Sequence, residues 1–253
     1  MLLLIDAGNT RIKWALVEAP GQSPLGIWTN SGSMTHQEFA ATPAPWSGQP
    51  VERVIVSTVA GAEIHAQLSA ALAQNTVEWF VSESSRAGIT NRYQLPQQLG
   101  SDRFATAIAV HALYPGENIV VATCGTATTI DAVTAQGDFI GGMIAPGLLL
   151  MAQSLARNTA QLPQLDVLKN GTAGTAHFAN HTHAAILSGC LAAQAGAIEY
   201  ALNNFSMIDR VDPAAQPLCI LSGGAATYIA PSLRTAHRLI DDLVLIGLQK
   251  ASC

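Results

Sequence analysis

Asp6-Ala7-Gly8-Asn9-Thr10-Arg11-Ile12-Lys13 follows a short apolar run, Leu2-Leu3-Leu4-Ile5, and leads into Trp14, Ala15, Leu16 and Val17. The apolar run predicts a buried strand, which Asp6-Ala7-Gly8-Asn9 stops. Beyond it, Ile12, Trp14 and Leu16 alternate with Lys13, Ala15 and Val17, which predicts a second, half-buried strand. An acid at a strand end, a glycine and two small polar residues make a tight turn. Backbone N–H groups in such a turn can cradle phosphate oxygens, because glycine lets an anion approach the main chain. Asp6 can hold Mg²⁺ directly or through water, and Lys13 can reach a phosphate. An ordinary hairpin with Asn-Thr turn chemistry fits the same residues.

A restatement of the pattern favours the phosphate reading over the plain hairpin. Residues 118–123 form another apolar, β-rich run, and Cys124-Gly125-Thr126 turns it into a second strand, 127–133, after which residues 139–142 read as a further strand. Two turns facing across a cleft can clamp the ends of a triphosphate, and Thr126 falls in the second. A third strand end, Leu221-Ser222-Gly223-Gly224-Ala225-Ala226, is small enough for an adenine ring or a phosphate to lie against the backbone. The two halves thus begin alike and break near Pro115, which predicts domains at 1–115 and 116–253.

Between the turns, Thr35 and Glu38 fit a capping box opening a short helix. Strands are expected at 26–29, 53–59 and 77–81, and helices at 62–74, 101–113, 147–157, 183–204 and 241–249, with another after the strand at 217–221. Residues 82–98 read as looser chain. Gly100-Ser101-Asp102-Arg103 opens the helix at 101–113. Asp102 there can accept a hydroxyl proton and Arg103 can pair with an anion, although an acid at a helix start is also a routine dipole stabiliser.

Apolar residues make up 49% of the 253 and charged residues 11%, with a net charge of −5 and twelve Lys and Arg scattered without a basic run. Nucleic-acid binding, which needs clustered positive charge, is not expected, and so sparse a charge favours surface buried in an oligomer. Cys124, Cys190, Cys219 and Cys253 show no zinc-like spacing and read as small fillers in a reducing compartment. His177, His181 and His183 cluster without a carboxylate among them and read as loop residues rather than a metal site. The longest apolar stretch, 139–152, is interrupted by Gly141, Gly142, Pro146 and Gly147, too often to span a bilayer. A cytoplasmic protein without membrane attachment is expected.

Taken together these residues resemble the type III pantothenate kinases. The family's DxGNTxxK motif is matched by Asp6 through Lys13, and its GxDR motif by Gly100 through Arg103, with Tyr93 and Pro96 ahead of it. Its second phosphate motif is similar to Gly125-Thr126-Ala127-Thr128-Thr129-Ile130-Asp131. Gly141 through Gly147 and Thr159-Ala160-Gln161-Leu162-Pro163 resemble its next two signatures, and Thr182 its late threonine.

The resemblance implies an α/β fold of two RNase H-like (actin-like ATPase) domains, with mixed central sheets flanked by helices and nucleotide in the interdomain cleft. It implies a homodimer that phosphorylates pantothenate with ATP and Mg²⁺, the first step of coenzyme A biosynthesis. ATP contacts are implied at Asp6, Ala7, Gly8, Asn9, Thr10, Arg11, Ile12, Lys13 and Thr126. Pantothenate contacts are implied at Tyr93, Gly100, Ser101, Asp102, Arg103 and Thr182, with Asp102 as general base. One position departs: the family's second motif begins with an Asp that helps bind a monovalent cation, K⁺ or NH₄⁺, where this chain has Thr123. Two alternatives stay open, a kinase for another small alcohol and a kinase-fold regulator of the Bvg accessory factor type.

Overall fold

The computed structural model describes residues 1–18, 21–158, 178–208, 211, 212, 214 and 216–253. The signature at Thr159 to Pro163 and the histidine at 177 lie outside these. In chain order the elements are β1 (Leu2–Ala7), β2 (Arg11–Val17), β3 (Asn30–Thr35), α1 (His36–Ala41), β4 (Arg53–Thr58), α2 (Ala62–Ala71), β5 (Thr76–Trp79), β6 (Ser85–Arg86), β7 (Ile89–Asn91), α3 (Ser101–Leu113), β8 (Ile119–Cys124), β9 (Ala127–Val133), β10 (Asp138–Pro146), α4 (Leu148–Asn158), α5 (Thr182–Asn203), β11 (Leu218–Ser222), α6 (Ala226–Ile229), β12 (His237–Leu239) and α7 (Leu243–Ala251). They form two compact units. One comprises residues 1–116, 135–140 and 242–253; the other comprises 117–134 and 141–241.

In the first unit the strand order is β3-β2-β1-β4-β5. β1 runs antiparallel to β2, with Asp6 opposite Lys13 and Ala7 opposite Ile12. It runs parallel to β4, with Asp6 beside Ser57. Both faces of β1 are covered, which is why its sequence is a continuous apolar run rather than an alternating one. Leu3, Ile5 and Ala7 join Ile12, Trp14 and Leu16 in a cluster with Phe39 of α1 and Ile64 and Leu68 of α2. On the opposite face Leu2 and Leu4 are equally buried, and α7 packs against β1, β2, β4 and α3. The crossing of α7 over α3 is close: a Cβ at Gly247 would collide with the backbone of Ala105. The capping box at Thr35 is present, with Thr35 N–H donating to Glu38 Oε2 and Glu38 N–H to Thr35 Oγ1. The start of β10 belongs to this unit and pairs in parallel with β7, Asp138 beside Thr90 and Phe139 beside Asn91.

The second unit repeats the order as β10-β9-β8-β11-β12. β8 runs antiparallel to β9, with Thr123 opposite Thr129, and parallel to β11, with Thr123 beside Ser222. The restated pattern in the sequence is therefore the same topology twice: hairpin, then a parallel neighbour, then a parallel edge strand. α5 has the length and apolarity of a membrane span. Its Ile186, Leu187, Cys190, Leu191, Ile198 and Leu202 are nevertheless buried in one cluster with Val120, Ala122, Ile130 and Leu221 of the sheet, the place of a core helix. Cys124, Cys190 and Cys219 are buried free thiols, and Cys253 is an exposed one. Burial pushes the Cys124 thiol up to about 12 and the Cys219 thiol to about 11, so both are inert fillers.

One expected strand is corrected, and the stretch read as looser chain holds β6 and β7. Residues 26–29 are not a strand: Gly26 adopts φ +76°, its N–H donates to Gln249 Oε1 at 2.9 Å, and Trp28 Nε1–H donates to the same oxygen at 3.2 Å. The third strand forms instead from the polar run Asn30–Thr35. β12 was not foreseen at all.

Candidate active site

The turn between β1 and β2 is closed by Gly8 N–H donating to the Arg11 carbonyl at 3.1 Å. Ala7 and Ile12 point into the core, while Asn9, Thr10 and Arg11 are exposed at the tip. Arg11 turns along the sheet, its Nε and Nη2 donating to Ser33 Oγ at 3.3 and 2.9 Å. His36 Nε2 lies 3.0 Å from the Gly8 carbonyl oxygen and donates to it in the tautomer protonated there.

Asp6 is the electrostatic centre of this end of the sheet. Its carboxyl is pushed up to about 7, first by burial and then by Asp102; Lys13 opposes the shift and Asp242 adds to it. Lys13 does not pair with Asp6. Its Nζ lies 2.8 Å from Oδ1 of Asp242, at the head of α7. Asp6 thus feels two other carboxylates, Asp102 and Asp242, and one ammonium, Lys13.

Asp102 stands in the first turn of α3. It accepts the Arg103 backbone N–H on Oδ1 at 2.8 Å. Burial nonetheless raises its pKa above the usual carboxylate value, outweighing the lowering by Arg103. Gly100, just before the helix, gives that carboxylate its room: a Cβ there would stand 2.6 Å from Asp102 Oδ1. Ser101 turns inward, its Oγ 2.9 Å from Ser57 Oγ, which ties the helix start to β4.

Arg103 is 7% exposed. Its Nη1 donates to Tyr93 Oη at 2.9 Å, and its guanidinium lies over the rings of Tyr93 and Phe139, 5.6 and 5.7 Å from their centroids. The Tyr93 loop is braced by Asn91, whose Oδ1 accepts the Tyr93 N–H at 3.1 Å and whose Nδ2 donates to the Pro96 carbonyl at 3.1 Å.

The first unit therefore brings together Asp6, Lys13, Tyr93, Gly100, Ser101, Asp102 and Arg103. Thr123, Thr126 and Thr182 belong to the second. There Gly125 N–H donates to the Ala127 carbonyl at 3.0 Å, and Gly147 N–H to the Thr126 carbonyl at 2.9 Å. Ala225 N–H closes the neighbouring Gly223-Gly224 turn on the Cys124 carbonyl at 3.0 Å. The side-chain oxygens of Thr128 and Thr129 are buried without a hydrogen-bond partner. Thr182 is the exposed first residue of α5, and His181 caps that helix by accepting Ala184 N–H on Nδ1 at 3.4 Å.

Asp242, Phe139 and Asn91 carry parts of this arrangement that sequence reasoning missed. Asp241-Asp242 before an apolar helix signals a cap and nothing more, and Phe139 reads as a core residue of a strand.

The family model described as type III pantothenate kinase matches residues 2–204. A type III pantothenate kinase of Herminiimonas arsenicoxydans is 52% identical over 253 residues, covering 98% of this chain and 96% of that protein. Among solved structures, one described as a Baf family transcriptional activator from Campylobacter jejuni superimposes with a TM-score of 0.60 at 18% identity, over 98% of this chain and 96% of that one. A 2-dehydro-3-deoxygalactonokinase protein from Sinorhizobium meliloti gives 0.51 at 12% identity, over 100% and 98%. At such identities the likeness shows the fold alone, a mixed α/β fold with two sheets flanked by helices, as in sugar kinases and actin-like ATPases.

Proposed function

The chain belongs to the type III pantothenate kinase family, and we propose that Asp102 is the general base of its reaction. It transfers a phosphoryl group from ATP to pantothenate, in coenzyme A biosynthesis. The observation that carries the assignment is the Asp102 carboxylate itself, anchored through one oxygen by Arg103 N–H and raised in basicity by burial. A primary alcohol has a pKa far above 7, so it is not deprotonated in advance. Asp102 takes the proton late, as negative charge leaves the attacking oxygen. A carboxylate of raised pKa is the better acceptor at that moment.

The remaining residues bind and orient. Lys13 and backbone N–H groups at the tip of the first turn contact phosphate oxygens, as does the turn at Thr126. Arg103, fixed by Tyr93, presents charge to the pantothenate carboxylate, and Tyr93, Gly100, Ser101 and Thr182 line its binding site. A divalent cation fits the first turn, where Asp6 lies in the field of two further carboxylates, Asp102 and Asp242. Among the described residues no group of three ligating side chains is assembled, which suits Mg²⁺ held by Asp6, water and phosphate oxygens, where it neutralises phosphate charge. At the second turn Thr123 and its neighbours Thr128 and Thr129 offer neutral hydroxyls. A monovalent cation is then held weakly, and the rate is expected to respond little to KCl or NH₄Cl at constant ionic strength; a steep saturable rise would contradict this. The enzyme acts in the cytoplasm as a homodimer.

Asp102→Asn keeps the size and hydrogen bonding of the side chain and removes its basicity. Its kcat should fall about 10²- to 10⁴-fold with ATP KM little changed. A variant within threefold of the parent would return Asp102 to the role of a helix-start acid.

A further inference from the structure

We propose that Asp242, at the head of α7, is a positioning residue that holds the Lys13 ammonium for phosphate. The two are 229 residues apart and meet at 2.8 Å, with Lys13 34% and Asp242 32% exposed. Two local features of Asp242 mark the pairing as selected by the site rather than by the helix. Its backbone is left-handed, φ +55° and ψ +30°, a conformation that, besides Gly, mainly Asn and Asp adopt. It is also the N-cap of α7 yet makes no side-chain cap hydrogen bond. An Asp at that position ordinarily accepts an N–H from the first turn; here the carboxylate turns to Lys13.

The pair is held by rigid surroundings. Leu243, Leu245 and Leu248 of α7 are buried, and Gly247 seats the helix on the backbone of Ala105 in α3, the helix that carries Asp102. Lys13 by contrast sits on a flexible four-carbon stem. The carboxylates that face it are Asp6, across the hairpin, and Asp242. Without Asp242 the ammonium is free to fold toward Asp6. With Asp242 it is drawn to the α7 side and is preorganised before nucleotide arrives.

This inference rests on Lys13 contacting phosphate, so the test separates the two. Asn tolerates the left-handed conformation and caps helices well, so Asp242→Asn should unfold at the parent's temperature or higher. Its KM for ATP should rise roughly tenfold, with the KM for pantothenate unchanged. Asp242→Gly, which adopts the same backbone without strain, should show the same split. Lys13→Gln alone should raise the ATP KM, and adding Asp242→Asn to it should change that value less than twofold. If Lys13→Gln raises the ATP KM but both Asp242 variants leave it within twofold, Asp242 positions nothing. If the penalties of the two sites add in the double variant, Asp242 acts elsewhere and the proposal falls. If Lys13→Gln itself leaves the ATP KM unaltered, the phosphate role of Lys13 falls, and this inference with it.

Discussion

Asp6 ends a strand that is apolar on both faces, and its carboxyl is held at about 7 against an ordinary 3.8. Burial is the first cause and Asp102 the second, so the folded chain prefers Asp6 protonated. For a carboxyl raised in this way the stability it contributes is complete below the unfolded value and is lost as pH rises through about 7. Asp6→Asn, a neutral isostere, should therefore unfold later than the parent at pH 8, by on the order of 1–3 kcal/mol. The gap should narrow as pH falls below 7 and close below the ordinary carboxylate value of 3.8. Chemical denaturation without nucleotide or divalent cation reads this directly. His111, whose lowered pKa pulls the other way, is common to both proteins and cancels in the difference. Equal stability of the two at every pH would show that Asp6 is not strained by its surroundings. The first turn was legible because its acid, glycine and lysine are contiguous. Asp242 was not, because only the fold brings it to Lys13.

At the scale of elements, apolar patterning found the central strands and the long helices. It failed at the sheet edges. β3 (Asn-Ser-Gly-Ser-Met-Thr) and β12 (His-Arg-Leu) bury little and carry no alternation that could announce them. Conversely, Gly26 to Thr29 looked like a strand because Ile27 and Trp28 are apolar, but Gln249 of α7 takes the Gly26 N–H that a ladder would need. α4 raises a different question. Leu149, Leu150 and Leu155 are 37%, 41% and 37% exposed, beside Met143 and Ile144 at the end of β10, with Ile144 65% exposed. Exposed apolar side chains of this kind are what a second copy of the chain would cover. Light scattering of the parent should give about twice 26.4 kDa, and Leu150→Arg with Leu155→Arg should give the single mass with its thermal transition retained. A parent that is monomeric and active, or a double variant still at twice the mass, would place the interface elsewhere or remove it.

At the scale of the whole molecule, one topology is used twice with different chemistry at the equivalent place. The first sheet sets Asp6 between Lys13 and Ser57, and the second sets Thr123 between Thr129 and Ser222. Charge is therefore concentrated at the first turn, while the second offers backbone and hydroxyl groups. The ordered motifs made the family legible in the sequence. The aromatic seat of Arg103 was not legible, because Phe139 lies 36 positions beyond it and reads as core. The most direct test is ADP release by the purified chain with ATP and Mg²⁺, before and after addition of pantothenate. A saturable rise in rate with pantothenate, largely lost in Asp102→Asn, is the expected result; no rise above the ATP-only background, in any Mg²⁺ or monovalent salt, would contradict it.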